Sequence, residues 1–409
     1  ADTSITADTD DTIDIRIAGA DDFQFTANDF TALSGSVIST NTIAETTAAS
    51  GVTIDGLLIK DGAIPSISVL GKNLIQNGEV SVSQRGTVTG VGASSAYGPD
   101  RWKYENSGGM PGRLTIAQGT GILGAASSLR LDVTTADASL AAGDLYQITQ
   151  KIEAQNVHFL EYGAATAKTM TYSFTAKTNF NGAMTLFITA PDGSRSYATE
   201  IDLVGDQSQE TFSFVIPGDA SGQINFDTGV GLDMMFTLAA GSTFTGGTED
   251  AWAAAANNMY GAGNAGNFMA STSTYIELSL MQLEVGSVAT DFEHEAISVT
   301  LNKCYRYLQI VGNGAVGAAR TVNIAYFGLV FAQQMRAAPS LTLIDDGINV
   351  IDTAGRGPTS SSSSIQISNI KATGMMFGID GYTGGNVLVE GRVQIVYNQA
   401  DFIQASAEL

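Results

Sequence analysis

Apolar and polar residues alternate along most of the chain, the period-two pattern of strands with one buried face. It is clear in "TIDIRI" (Ile13, Ile15, Ile17), "SLRLDV" (Leu129, Leu131, Val133), "TFSFVI" (Phe212, Phe214, Ile216) and "YIELSL" (Ile276, Leu278, Leu280). It returns in "NVLVEGRVQIVY" at Val387 and Val389 and again at Val393, Ile395 and Tyr397. Clusters of Gly, Asn, Asp, Ser and Thr separate these runs at the spacing of sandwich folds. In "ELSLMQLEV" the apolar phase moves to Leu283 and Val285, which predicts a bulge near Met281 and Gln282. Helical spacing is rare: Leu301, Cys304, Tyr305 and Leu308 give one short amphipathic helix, and "EDAWAAAANN" has room for a turn or two beside the loop-like "GAGNAGN". The predicted class is all-β with minor helix.

The pattern divides into three segments. Residues 1–70 hold short strands with few large aromatics beyond Phe23, Phe25 and Phe30, too little apolar volume for a core of their own, so copies from several chains are expected to pack as a stalk. Residues 71–296 carry both tryptophans and enough strands for a two-sheet sandwich. Residues 297–409 begin with the helix, pass the Ser-rich linker "GPTSSSSSI" and finish in two good strands, a smaller β-domain. Near its end Phe402 and Ile403 are candidates for sealing an interchain contact.

Composition narrows the partners. Forty-one acidic residues against 19 basic ones give a net charge of −22 spread along the 409 residues, which argues against nucleic acid, whose phosphates call for clustered Lys and Arg. No apolar run reaches membrane-spanning length, and "ADTSITADTDDTIDI" has neither the basic nor the apolar region of a secretion signal, so no membrane insertion is expected. Cys304 is the only cysteine and can form no intrachain disulfide.

Two clusters stand out as binding chemistry. "YGPDRWKY" sets Tyr97, Asp100, Arg101, Trp102 and Tyr104 around Pro99. An aromatic face beside charged hydrogen-bonding groups suits a sugar, the ring covering C–H groups while the charges bond hydroxyls. The same residues equally suit a turn that drops Trp102 into a core, with Asp100 and Arg101 paired at the domain edge. The second cluster is the long Gly, Ala and Asn loop 241–272 with Trp252, Tyr260 and Asn264, the preferred place for a glycan site because loops on a rigid sandwich carry recognition.

Enzymatic and metal chemistry find little support. His158 and His294 are the only histidines, neither Gly-x-Ser-x-Gly nor a phosphate-cradling loop occurs, and no pair among the 41 acids is singled out for glycoside hydrolysis. Asp8, Asp10, Asp11 and Asp14 in "ADTDDTID" lack the glycine and distal Glu of a calcium loop and read as a solvated face. No cofactor and no metal are expected.

Ordered motifs along all three segments resemble a known family. Asn73, Leu74, Asn77 and Gly78; Gln84, Arg85 and Gly86; Asp100, Arg101 and Trp102; Gln282, Leu283, Glu284 and Gly286; Phe292 and Glu293; Cys304, Arg306 and Tyr307; and Ala407, Glu408 and Leu409 follow the order seen in modular fibre proteins of tailed bacteriophages. "IAETTAASGVTIDGLLIKDG" is similar to a short module of virion appendage proteins. The resemblance implies a homotrimeric virion component with a central jelly-roll domain similar to carbohydrate-binding modules. It makes Asp100, Arg101 and Trp102 a structural motif, since the tripeptide recurs in fibres of differing hosts, and leaves Tyr97 and Tyr104 as surface contributors. "NLIQNGEVS" also resembles the first strand of calcium-stabilised carbohydrate-binding modules, but Ser81 stands where the ligating Glu belongs and Glu79 is displaced by two. The implied function is attachment of a phage tail fibre to host surface polysaccharide through weak, multivalent glycan contacts. A head-decorating or purely structural fibre and a glycan depolymerase are the alternatives.

Overall fold

The structure, a computed structural model, describes residues 71–311 apart from 93, 123 and 265, then 315–321, 324–344, 349–352, 364–380, 393–397 and 403–409, and before residue 70 only the six strand segments given next. The chain forms two compact units, Ala1–Val69 and Leu70–Leu409. In the first, β1 (Ser4–Ala7), β2 (Ile13–Ile17), β3 (Ala20–Thr26) and β4 (Asp29–Ala32) make an antiparallel meander, with Ile13 paired to Phe25 and Ile15 to Phe23. A small hairpin joins β5 (Val52–Ile54) to β6 (Leu57–Ile59). Asp8, Asp10, Asp11, Val387, Val389, Phe402 and most of the Ser-rich linker lie outside the described residues.

The second unit opens with a β-sandwich. Its strands are β7 (Val88–Val91), β8 (Ala96–Tyr97), β9 (Lys103–Asn106), β10 (Arg113–Thr120), β11 (Ser127–Thr135), β12 (Leu145–Glu153), β13 (Met170–Thr178), β14 (Gly182–Ala190), β15 (Arg195–Leu203), β16 (Gln209–Ile216), β17 (Val230–Ala240), β18 (Ala253–Ala254) and β19 (Tyr275–Val285), with the short helix α1 (Ala154–Val157) after β12. One sheet has the order β16-β13-β19-β11-β10-β7, the other β18-β15-β14-β17-β12-β9-β8. Their facing sides share one core built around Trp102, Tyr104, Tyr172, Phe174 and Phe236. The Phe174 and Phe236 rings meet edge to face at 5.0 Å, the arrangement their quadrupoles favour.

β16, at the edge of the first sheet, alternates in burial as its sequence does, exposed at every second residue from Gln209 and buried at Ile216, whereas the more central β13 and β19 are buried on both faces along most of their length. β14 and β17 do not alternate, because loop 241–267 lies over the outer face of the second sheet and buries Phe187, Ala198 and Met235 with Met259 and Ala262 in a second small core. Within that loop "EDAWAAAANN" forms only the two-residue strand β18 and a single 3-10 turn at Asn257–Met259.

The bulge in β19 sits at Leu280 and Met281, between the pairs Ser173–Gln282 and Thr175–Ser279, with Leu280 in the left-handed region (φ 52°). Its extra residue has a partner: the Met281 N–H donates to the Gly78 carbonyl at 3.0 Å and the Asn73 amide donates to the Met281 carbonyl at 3.0 Å. A Cβ at Gly78 would lie 2.1 Å from that carbonyl oxygen, so glycine is needed there.

A smaller β-domain completes the unit. Helix α2 (Ile297–Tyr305) is shorter than the apolar spacing suggests, since Leu308 begins β20 (Leu308–Val311) instead of continuing the helix. β21 (Val316–Ala319), β22 (Ile324–Val330), β23 (Ser340–Leu343), β24 (Asn349–Asp352), β25 (Ser364–Lys371), β26 (Gly374–Asp380), β27 (Val393–Tyr397) and β28 (Ile403–Ser406) follow. They form a three-stranded sheet, β20-β28-β23, and a six-stranded sheet, β24-β27-β21-β22-β26-β25. Phe327 and Phe377 stack at 5.2 Å in its core. Ile403 is fully buried in that same core, so within one chain it is already covered and does not serve the interchain contact expected of it. Among the described residues no helix is long and apolar enough to cross a membrane.

Candidate functional site

"YGPDRWKY" splits into an inward and an outward set. Asp100, Arg101 and Trp102 are all buried, Arg101 with a positive φ of 74°. Trp102 donates its indole N–H to the Asn77 carbonyl at 3.2 Å. Asp100 does not pair with Arg101: its carboxylate accepts from the Gln84 backbone N–H at 2.8 Å and the Gln84 amide at 2.5 Å. Burial pushes the Asp100 carboxyl up, with the Gln84 bonds opposing.

Arg101 instead reaches the far end of the sequence. It donates to Glu408 at 2.6 Å, to the Lys151 carbonyl at 2.5 Å and to Gln76 at 3.1 Å, and its guanidinium lies 3.5 Å from the centre of the Tyr307 ring. Arg85 donates more weakly to the other Glu408 oxygen, at 3.3 and 3.4 Å. Glu153, buried at the end of β12, accepts from Arg306 at 2.6 and 2.7 Å and from the Tyr307 hydroxyl at 2.5 Å. Burial acts to raise its carboxyl, but those bonds hold it below the usual carboxylate range. Arg336 completes the cluster on the Ala407 and Glu408 carbonyls. Four motifs far apart in sequence thus share one largely desolvated ionic cluster joining sandwich to terminal domain, in which Glu408 serves both Arg101 and Arg85 and Glu153 serves Arg306.

Gln282, Glu284 and Glu293 are similarly occupied. Glu284 accepts from Thr290 backbone and hydroxyl at 2.9 and 2.7 Å, while Glu293 accepts from the Gly71 and Asn73 N–H groups at 2.6 and 2.8 Å, clasping the two ends of the sandwich segment. Glu79 accepts from the Ala126 N–H at 2.9 Å and faces His294 at 3.4 Å. Among the described residues no group of three or more His, Cys, Asp or Glu side chains is placed to hold a metal ion.

The residues singled out for glycan contact do not form one site. Trp252 lies beside β18, at one edge of the seven-stranded sheet, and Tyr97 is on β8, at the other. The Trp252 ring is half-buried against Tyr162 at 5.5 Å and Tyr197 at 5.7 Å, with its N–H bonded to the Pro217 carbonyl at 2.6 Å. Asn264 is used in holding the loop down: it donates to the Thr237 carbonyl at 3.0 Å and accepts from Gly266 at 3.1 Å. Tyr104 corrects the surface expectation outright, being 0 % exposed in the sandwich core. The charged neighbours Lys103 and Glu105 already signal this, because alternation sends Tyr104 to the face opposite theirs.

Tyr97 and Tyr260 do share a surface, the outer face of the seven-stranded sheet. Between them lie four charged side chains that sequence reasoning missed: Lys103 and Glu105 on β9, Lys151 on β12 and Asp233 on β17. Glu105 is the hub, accepting from Lys103 at 2.6 Å and Lys151 at 2.8 Å, and Lys151 reaches Asp233 at 3.8 Å. Thr149 donates to Asp233 from beneath. Burial acts to raise Glu105, yet its two lysines hold it low; burial dominates at Asp233 and pushes it up to about 6 despite Lys151. Burial and then the charges of Asp233 and Glu105 raise Tyr260, which packs on Phe187 at 4.4 Å. Tyr97 has Lys103 5.4 Å and Arg85 4.9 Å from its ring centre and donates to the Leu409 carbonyl at 2.8 Å. Lys103, Glu105 and Lys151 keep about a fifth of their side-chain surface open to water, so the cluster is accessible from outside, unlike that at Glu408. The legible signal was a lone acid in "GLDMMF" and a lone lysine in "QITQKIE", charges set into apolar strands.

No family model matches the chain, and no curated protein does. Among solved structures it is similar to the enzymatically active domain of tailspike protein 4 from bacteriophage CBA120, at 13% identity and a TM-score of 0.28 over 53% of this chain and 22% of that one. It is likewise similar to a CBM4 carbohydrate-binding module, at 14% identity and a TM-score of 0.28 over 52% of this chain and 99% of that one. A third is the family 11 carbohydrate-binding module from Clostridium thermocellum in complex with a β-1,3-1,4-mixed-linked tetrasaccharide, at 11% identity and a TM-score of 0.25 over 47% and 91%. All three likenesses are distant, and the chemistry of the sheet face rests on its own residues.

Proposed function

We propose that this chain is a subunit of a homotrimeric bacteriophage fibre, carried on the tail, whose sandwich attaches to host surface polysaccharide through the outer face of its seven-stranded sheet. The observation that carries the glycan reading is the Lys103–Glu105–Lys151–Asp233 network between Tyr97 and Tyr260, about a fifth open to water at its first three members. Two ammonium groups and two carboxylates offer donors and acceptors in equal number with no excess charge, which suits a polyhydroxylated ligand and not a polyanion. The flanking tyrosines add apolar edges with polar tips. Single contacts of this kind are weak, and three copies in one fibre convert them into useful avidity. Four of the ordered motifs meet in a buried cluster, which suits a scaffold role and leaves receptor contact to other residues.

The test is binding of the full-length protein to capsular and lipopolysaccharide glycans, compared with Tyr260→Ala and Glu105→Gln. Loss of retention in both variants, each still folded by circular dichroism, is the expected result. Unchanged retention overturns the sheet-face reading, and release of reducing sugar from the polysaccharide replaces attachment with depolymerisation. Solution mass settles assembly: a stable single copy contradicts the trimer.

A further inference from the structure

A second concavity lies outside that face. Between the sandwich and the terminal domain is an open cleft of about 560 Å³, well inside the roughly 300–1,000 Å³ typical of small-molecule sites. One wall is the sandwich edge: Val88 on β7 and Tyr97 on β8, the outermost strands of the two sheets, with Arg85 and Ser95 beside them. The other is the three-stranded sheet, where Ile310 and Gln404 are directly paired across β20 and β28 and Ser406 and Ile344 extend the surface. Ile403 and Ala405 alternate to the opposite side of β28 and fill the core, so the cleft-facing residues are not needed for packing.

The walls are fixed by the ionic cluster at their junction. Gln84 donates to the Leu308 carbonyl at 3.1 Å at the start of β20, Arg85 meets Glu408 and Tyr97 meets the Leu409 carbonyl, so the cleft is held open before any ligand arrives. Its lining contains one charge, Arg85, whose guanidinium shares Glu408 with the closer Arg101 and uses only two of its five donors there. Among the described residues the Gln404, Ser406 and Ser95 side chains make no hydrogen bond. Apolar patches at Val88, Ile310 and Ile344 alternate with these polar groups.

We propose that this cleft is a second saccharide site, taking a short neutral oligosaccharide of two to four sugar units and sharing only Tyr97 with the sheet face. Hydroxyls engage Arg85, Gln404, Ser406 and Ser95, and sugar C–H faces lie on Ile310 and Ile344. A neutral sugar is favoured because three uncharged polar side chains, Gln404, Ser406 and Ser95, outnumber the one guanidinium in the lining.

Calorimetric titration of the full-length protein with cellotetraose, maltotetraose, laminaritetraose, mannotetraose and trigalacturonate tests this. In a Tyr260→Ala background, at least one neutral tetrasaccharide binds at millimolar concentration, trigalacturonate does not, and adding Ser95→Trp at the exposed rim weakens binding by about tenfold or more. Ile344→Arg, also exposed, gives the same loss if the tryptophan variant fails to fold. Binding that vanishes with Tyr260→Ala alone overturns the cleft site and leaves the sheet-face reading standing. Binding kept in Ser95→Trp and Ile344→Arg, preference for the uronate, capture of an extended peptide along β7 in place of sugar, or silence from all neutral sugars each overturns it.

Discussion

The Arg101 guanidinium donates to the Glu408 carboxylate at 2.6 Å, across 307 positions of sequence, with both side chains almost wholly removed from water. Such a pair is costly to form and more costly to halve, because the surviving charge stays buried without its counter-ion. Glu408→Ala is therefore expected to lower unfolding free energy by about 3–5 kcal/mol. Glu408→Gln, which keeps a hydrogen-bond acceptor, should cost less. Denaturant titration of both variants checks the order, and equal, small effects would show that Arg101 finds another partner.

Trp252→Ala separates cover from contact. The ring closes the core over Tyr162 and Tyr197, so its removal should cost about 2 kcal/mol, below the roughly 3–5 kcal/mol of a fully buried tryptophan because it is half-exposed. Glycan retention by the folded variant should stay unchanged. A selective loss of retention at constant stability would return the site to Trp252.

Asp233 gives the sheet face a pH signature. Its folded value of about 6 lies above the ordinary carboxylate value, so the native state binds the extra proton and stability contributed by this group rises as pH falls through about 6 toward 4. The Asp233→Asn variant should lose that rise and be the more stable protein at pH 7, by up to about 2–3 kcal/mol at roughly 1.4 kcal/mol per pKa unit. Glu153 acts oppositely: held low by Arg306 and Tyr307, it contributes stability above its unfolded value and loses it as pH falls through its depressed folded value. Thermal midpoints of wild type and Asp233→Asn from pH 7 to 4 test the first sign, and parallel curves would contradict it.

Gly78→Ala should destabilise by about 1–3 kcal/mol through overpacking, since the new methyl would meet the Met281 carbonyl. Gly86→Ala offers a contrast: its Cβ would meet nothing within 4 Å, but its φ of +67° makes the cost a backbone one. Comparing the two by calorimetry distinguishes steric from conformational origin.

The strands that the sequence announces are those with one wet face. β11 and β16 follow their alternation, and the bulge in β19 falls where the phase shifts, although β19 itself is buried on both faces. β14 and β17 carry no such pattern because loop 241–267 dries their second face, and a local pattern cannot report a cover that arrives from elsewhere in the chain. The candidate site was hidden for the same reason. Asp100 and Arg101 read as a neighbouring pair, yet their partners are Gln84 and Glu408; Lys103, Lys151 and Asp233 come from three separate strands and acquire meaning only when β9, β12 and β17 are set side by side. Tyr104 was within reach, as its charged flanks fix its face.

Because β28 is the middle strand of its sheet and Glu408 neutralises Arg101, a nascent polypeptide on the ribosome carries an uncompensated cation inside its sandwich until position 408 has emerged. At roughly 5–20 residues per second, some fifteen seconds or more of synthesis separate the two partners. Products truncated before Glu408 should thus be poorly folded and readily degraded.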